Sequence, residues 1–180
     1  MSHIFVSYSR KDIEFAGKIV KALAKNNLET WIDWKSIPKG EDREQEIYRG
    51  IEEADAFLFL ISTDSAKSEM CNKEIAHAVK NNKRILPIVL HDTDVNTFHY
   101  ELAKNEISKR NWIFCREKQD DFDKTIEEIQ TTIHTNYDWV QAQRRLQVKA
   151  LEWERNHKEN SFLLRGKDLG DAELQLATNT

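Results

Sequence analysis

A single run of six apolar residues, Ala56-Phe57-Leu58-Phe59-Leu60-Ile61, constrains this chain more than any other feature. It is far shorter than the roughly 20 residues of a membrane helix, and it lacks the polar alternation of a half-exposed strand. A run of this kind reads as a strand buried on both faces, as in a parallel sheet covered by helices on each side. The segment that follows, Ser65-Ala66-Lys67-Ser68-Glu69-Met70-Cys71-Asn72-Lys73-Glu74-Ile75, reads as the start of a helix. Ser65 and Ser68 each offer a capping hydroxyl, and Asp64 adds favourable charge at its beginning. Cys71, Ile75, Ala78 and Val79 then form a helical apolar face. Glu74 falls at the rim of that face, half buried beside the strand end, with Met70 one turn behind it.

The rest of the chain supplies partners for that strand. His3–Tyr8 and Leu28–Asp33 are β-prone, Ile85–Leu90 gives a fourth strand and Asn111–Cys115 a fifth. Pro87 within the fourth argues for a bulge or an edge-like position. Between the strands, Ile13, Ala16, Gly17, Val20, Leu23 and Ala24 keep helical spacing up to Asn26-Asn27, with Ser9 and Asp12 in a capping-box relation before them. Ile47, Gly50, Ile51 and Ala54 mark another helix, and Phe122, Ile126, Ile129 and Ile133 a further one. Residues 91–110 read as a loop with a short helix near Tyr100–Lys104. Strands alternating with helices predict an α/β doubly wound fold, a five-stranded parallel sheet in the flavodoxin-like order 2-1-3-4-5. Its switch point lies between strands one and three, so the loops after Tyr8 and Ser62 are expected to form the crevice, with Glu74 facing it. Taken alone, Glu74 reads as a solvated helix carboxylate; at a crevice it reads as a functional group.

From residue 136 the pattern changes. Trp139, Leu146, Ala150 and Trp153 make an apolar seam on a helix ending near Asn156-His157, followed by a shorter pattern through Leu169, Ala172, Leu174 and Leu176. The sheet is complete without this part, so residues 1–135 are expected to form one domain and 136–180 a helical extension, either packed on the domain or leading to a further one. A dimerisation helix is the alternative.

Composition excludes several functions. A net charge of -4, with 32% charged residues, gives no broad basic footprint for nucleic acid. No run is long enough for a membrane span, and Met1-Ser2-His3-Ile4 enters a strand at once, leaving no room for a signal peptide. Two cysteines are too few for a disulfide scaffold or zinc site, and the six histidines show no ligand spacing. The compartment implied is cytoplasmic. Neither dinucleotide fingerprint, Gly-x-Gly-x-x-Gly or the Walker loop, is present, nor is a Gly-x-Ser-x-Gly elbow. A phosphoacceptor receiver domain needs an Asp ending strand three, where Ile61-Ser62-Thr63 stands.

Four segments together resemble the Toll/interleukin-1 receptor (TIR) domain. Ile4-Phe5-Val6-Ser7-Tyr8-Ser9 looks like its first box, and Ile32-Asp33 with Ile37-Pro38-Lys39-Gly40 resembles its BB loop. Ser62 with Ser68-x-x-Cys71-x-x-Glu74 resembles the segment carrying its glutamate, and Asn111-Trp112 its last box. The tail, notably Trp139-Val140, Glu152-Trp153-Glu154 and Leu163-Leu164-Arg165-Gly166, resembles the linker of bacterial TIR–STAND and TIR–WD40-repeat proteins, which implies a prokaryotic immune or signalling setting and C-terminal sensor domains.

The resemblance implies one of two activities. Some members cleave the nicotinamide–ribose bond of NAD⁺, giving nicotinamide and ADP-ribose or a cyclic isomer, with NAD⁺ as substrate and no cofactor. Others are adaptors that only assemble with further TIR domains, and in active members too the BB loop reaches a neighbouring subunit. Carried over residue by residue, Glu74 is the catalytic carboxylate, and Phe5, Ser7, Tyr8, Ser9 and Arg10 fall on the nucleotide-facing side. Asp33, Trp34 and Gly40 fall on the BB-loop side, and Met70 and Cys71 beside the glutamate. Four of them also have a plainer role: Phe5 in the core, Ser9 as a helix cap, Asp33 in a turn, Gly40 in loop geometry. Enzymatic members often carry a Trp four residues before the glutamate, where this chain has Met70, a softer packing surface. Trp34 or a neighbouring subunit could take over that stacking.

Overall fold

The computed structural model describes residues 3–32, 43–134 and 137–178. It forms two compact units, residues 1–134 and 135–180. In the first, β1 (His3–Ser7) leads through a 3₁₀ turn (Arg10–Asp12) into α1 (Ile13–Lys25) and β2 (Glu29–Trp31). Then follow α2 (Arg43–Glu53), β3 (Ala56–Ile61), the short α3 (Thr63–Lys67), α4 (Glu69–Lys80) and β4 (Arg84–Val89). The unit closes with α5 (Glu101–Ser108), β5 (Ile113–Phe114) and α6 (Phe122–His134). Every strand pair is parallel and the order is β2-β1-β3-β4-β5, the doubly wound, flavodoxin-like arrangement expected from the alternation of elements.

All six residues of β3 are buried, and they divide between two cores by parity. Leu58 and Leu60 join Ile4 and Val6 of β1 under α1 and α6. Phe57, Phe59 and Ile61 join Phe5 under α2, α3, α4 and α5. The side-chain period of two therefore decides which helix layer each strand residue meets. Ser7, two residues after Phe5, stands in register with Phe59 and shares the parity of the α4 side.

Several local expectations shift by a turn or less. The buried stripe of α1 is Ala16, Ile19, Val20 and Leu23, whereas Ile13 is 43% exposed because it sits at the helix start, beyond the edge of the sheet contact. Asn27 ends this helix in the left-handed region, at φ 59°, which its short polar side chain tolerates. The short helix expected near Tyr100 runs on to Ser108, burying Ala103 and Ile107. Pro87 sits in an interior strand, yet its position is edge-like. Val89, of the same parity, accepts a hydrogen bond from Cys115 N–H, so this side faces β5, which pairs only with Ile88 and Val89. The missing proline N–H has no ladder partner to lose.

Two devices seat α2 against the sheet and α4. Lys83, buried, donates through Nζ to the carbonyls of Glu52 (2.5 Å) and Ala54 (3.0 Å), satisfying the end of α2. Gly50 faces Trp31 so closely that a Cβ there would lie 2.7 Å from the indole. Trp31 in turn stacks on Phe5 at 4.8 Å, so it has little room to retreat.

The second unit holds α7 (Tyr137–Arg155), a 3₁₀ turn (Asn160–Phe162) and α8 (Gly166–Thr178). Lys149 pairs with Asp168 at 2.5 Å, and Arg145 pairs with the same carboxylate. Of the expected seam, Leu146, Ala150 and Trp153 line a common cavity with Phe162, Leu163 and Leu169. The side chains of Trp139 and Leu176 lie outside the described residues.

Gly50→Ala is expected to destabilise the protein by about 1 kcal/mol in urea denaturation. The crowding of Trp31 outweighs the roughly 1 kcal/mol that the exchange gains in an open helix. A stabilised variant would show that Trp31 can move aside.

Candidate functional site

Glu74 lies on the second turn of α4, between Cys71 and Ala78 on the core face, and is 6% exposed. That is deeper than the half-buried rim position its spacing suggests. The reason is a partner from the sheet: Ser7 Oγ donates to Glu74 Oε2 at 2.5 Å. The length is in the range of a charge-assisted O–H···O⁻ bond, which offsets part of the cost of drawing a carboxylate out of water.

Two serine caps place α4. Ser62, rather than Ser65, caps the preceding α3. It accepts from Ser65 N–H at 3.1 Å while its own N–H donates to Ser65 Oγ at 2.8 Å, a reciprocal capping box with serine at both positions. Ser68 then caps α4 through Cys71 N–H at 3.3 Å. Asn72 Nδ2 donates to the carbonyls of Ala66 (2.9 Å) and Ser68 (2.7 Å), locking the junction between the two helices. Burial, reinforced by the charge of Glu74, pushes the Cys71 thiol up to about 12. It stays protonated at neutral pH and packs as a small apolar group rather than acting as a nucleophile.

An open cleft of about 190 Å³ lies over this carboxylate, lined by Phe5, Tyr8, Arg10, Met70, Cys71 and Glu74, together with Val6, Arg43 and Ser68. Six of the residues singled out in the sequence thus meet on one cleft. Ser7 supports Glu74 from within the sheet. Phe5 lines the cleft but is only 1% exposed, its ring stacked against Trp31 (4.8 Å) and Phe57 (5.4 Å); core packing is its main role. Ser9 caps the 3₁₀ turn by accepting from Lys11 N–H at 3.4 Å and does not line the cleft. Asp33, Trp34 and Gly40 lie outside the described residues, as do Ile37, Pro38 and Lys39 of the BB-loop match, whereas Ile32 is buried in the core. Arg43 was not singled out by sequence reasoning; its position at the start of α2, three residues after Gly40, is the only local signal it carries.

Of the two loops expected to form the crevice, the one after β1 supplies Tyr8 and Arg10, whereas Ser62–Lys67 supplies none of the described lining residues. The loops after Tyr8 and Ser62 are tied together: Ser62 Oγ donates to Asp12 Oδ2 at 2.6 Å, and Lys11 Nζ to Asp64 Oδ1 at 2.6 Å. Asp12 is therefore a strut between the loops and not the capping-box partner of Ser9. The open space lies instead on the α2–α4 side of β1. That side is braced by His77 against Glu52 at 3.1 Å, with Tyr48 stacked on the imidazole at 4.2 Å. Burial lowers the His77 pKa despite the nearby Glu52, so the ring is neutral at pH 7. Among the described residues, no three His, Cys, Asp or Glu side chains are grouped as a metal site, and no helix is long and apolar enough to cross a membrane.

The family model described as a TIR domain matches residues 4–130. No curated protein matches the chain. Among solved structures, the fold is similar to the TIR domains of the activated Roq1 resistosome directly recognizing the pathogen effector XopQ (TM-score 0.61, 19% identity, 74% of this chain and 99% of that one). It is similar too to the TIR domain of the Toll-related receptor TRR-2 from the lower metazoan Hydra magnipapillata (TM-score 0.60, 16% identity, 73% and 98%). A third is the Clostridium botulinum CMP N-glycosidase BcmB (TM-score 0.51, 14% identity, 73% and 99%). At these identities the likeness is one of fold.

Ser7→Ala removes a donor from a buried carboxylate and is expected to cost about 1.5–3 kcal/mol of stability at pH 7. In a Glu74→Gln background the same change should cost clearly less. Equal costs in the double-mutant cycle would mean that the two side chains are not energetically coupled.

Proposed function

The chain belongs to the TIR domain family, and on that premise we propose that it cleaves the nicotinamide–ribose bond of NAD⁺, releasing nicotinamide together with ADP-ribose, by hydrolysis, or a cyclic ADP-ribose isomer, by intramolecular transfer. The observation that carries this reading is the Glu74 carboxylate, buried at the base of an open cleft and held by Ser7. Nicotinamide in NAD⁺ is already cationic and departs with the electron pair of the N-glycosidic bond, so no general acid has to protonate it. What the reaction needs is negative charge beneath the ribose as oxocarbenium character develops, in a place where water does not dilute its field. Glu74 provides that charge, and it can accept hydrogen bonds from the ribose hydroxyls. Water or a nucleophile of the adenine ring then takes the vacated anomeric carbon. Tyr8 and Met70 are the side chains placed to pack on the substrate. N-Glycosidic cleavage is also the bond class in the name of the Clostridium botulinum relative.

We further propose that activity rises on self-assembly with other TIR domains through the BB loop, in the cytoplasm of a prokaryote, as part of immune or antiphage signalling. Residues 136–180 then serve as the extension toward C-terminal sensor domains. A second reading, a TIR–TIR scaffold without catalysis, is favoured by one feature, Met70 at the position where an aromatic stacking surface is common in the active members.

Nicotinamide release from NAD⁺, measured at low and high protein concentration with and without a crowding agent, tests this. Turnover per molecule should rise with concentration, and Glu74→Gln should lose at least about a hundredfold while its unfolding midpoint stays within that of a surface substitution. No release under any condition, from protein that sediments as an assembly, would leave the scaffold reading. Release that survives in Glu74→Gln would remove Glu74 from the chemistry.

A further inference from the structure

We propose that the cleft over Glu74 selects N-glycosides of ribose 5-phosphate, that is nucleotides over free nucleosides, through the guanidinium groups of Arg10 and Arg43. The inference rests on the reading that Glu74 acts on a glycosidic bond, and it names the part of the substrate that the rest of the cleft recognises.

The two arginines come from different elements. Arg10 opens the 3₁₀ turn after β1, and Arg43 opens α2, yet both line the same cleft. Both residues are exposed, whereas Glu74 is buried, so positive charge lies toward the mouth and negative charge at the base. Among the described lining residues these are the only charges, two positive against one negative. The excess runs against the net charge of -4 of the whole chain, so it is a local feature of the cleft. Each arginine also takes part in an interaction within the chain, and the five N–H donors of a guanidinium leave capacity for a phosphate besides. Arginine suits this task because its planar fork matches two phosphate oxygens at once.

Size points to which phosphate is held. The cleft, at about 190 Å³, is smaller than the roughly 300–1,000 Å³ of sites that enclose a drug-sized ligand. The space between the described walls is that of a ribosyl phosphate with part of its base. With the anomeric carbon over Glu74, the group that reaches the rim is the phosphate on the same ribose. The distal nucleoside of NAD⁺ then extends outside the described walls and contributes less to selection.

The test compares kcat/KM for nicotinamide mononucleotide and nicotinamide riboside in the wild type, Arg10→Gln, Arg43→Gln and Arg43→Lys, with urea midpoints as a control for folding. The wild type should prefer the mononucleotide by about a hundredfold, and either glutamine variant should lower that ratio about tenfold, mainly through KM. Arg43→Lys should retain part of it, since charge is kept and the fork is lost. Riboside cleaved as well as mononucleotide, or equal losses on both substrates, overturns the inference while the glycosidase reading stands. If no glycoside is cleaved, calorimetry with ribose 5-phosphate separates the two claims. Binding that is retained in Glu74→Gln and lost in Arg43→Gln supports the anion site and removes the catalytic reading, and absence of binding overturns both.

Discussion

Burying both faces of β3 is the constraint from which the rest of the domain follows. Six consecutive residues of this strand are out of water, and each pairs on one side with β1 or on the other with β4. A strand so placed requires a helix layer above and another below, and parallel neighbours reached by crossovers, which are right-handed. The side on which successive strands are added then switches between β1 and β3, the place where an open α/β sheet leaves a crevice at its carboxyl edge. The position of the cleft is thus a consequence of core burial, before any of its side chains is considered.

Within that frame, one polar bond ties sheet to helix. Ser7 ends β1 on the parity that faces α4, and its hydroxyl meets Glu74 across the core boundary. A carboxylate in this setting costs free energy to desolvate, and a hydroxyl partner offsets only part of it. A protein keeps such a group where its charge is useful, because a dry, fixed carboxylate acts on a developing cation far more strongly than a solvated one. The neighbouring Cys71 follows the same electrostatics: burial and the adjacent Glu74 keep its thiol protonated, so Cys71 adds no anion to the site.

The walls are held by contacts that have no chemistry of their own. The Asp12–Ser62 and Lys11–Asp64 bonds close the space between two loops and leave the cleft on the α2–α4 side of β1. The His77–Glu52 contact, the Tyr48 stack and Lys83 on the carbonyls of Glu52 and Ala54 fix α2 against α4. Because α2 begins at Arg43 and α4 carries Glu74, these contacts set how far the rim charge stands from the base of the cleft.

Alternation of apolar runs with helical spacings was enough to read the parallel five-stranded sheet, its order and the placement of Glu74 at a helix start near a strand end. Period two and period 3.6 are local properties, and they report which face of an element is buried. The same local periodicity places Ile13 on the buried stripe and Asp12 in a cap, because a helix stripe does not say where the helix ends against the sheet. Only the tertiary structure paired Ser7 with Glu74 across 67 residues, Ser62 with Asp12 across 50 and His77 with Glu52 across 25, and brought Arg43 to the cleft. Such pairings depend on strand register and on how each crossover lays its helix over the sheet, and those are decided by the packing of distant segments together rather than by the spacing within any one of them.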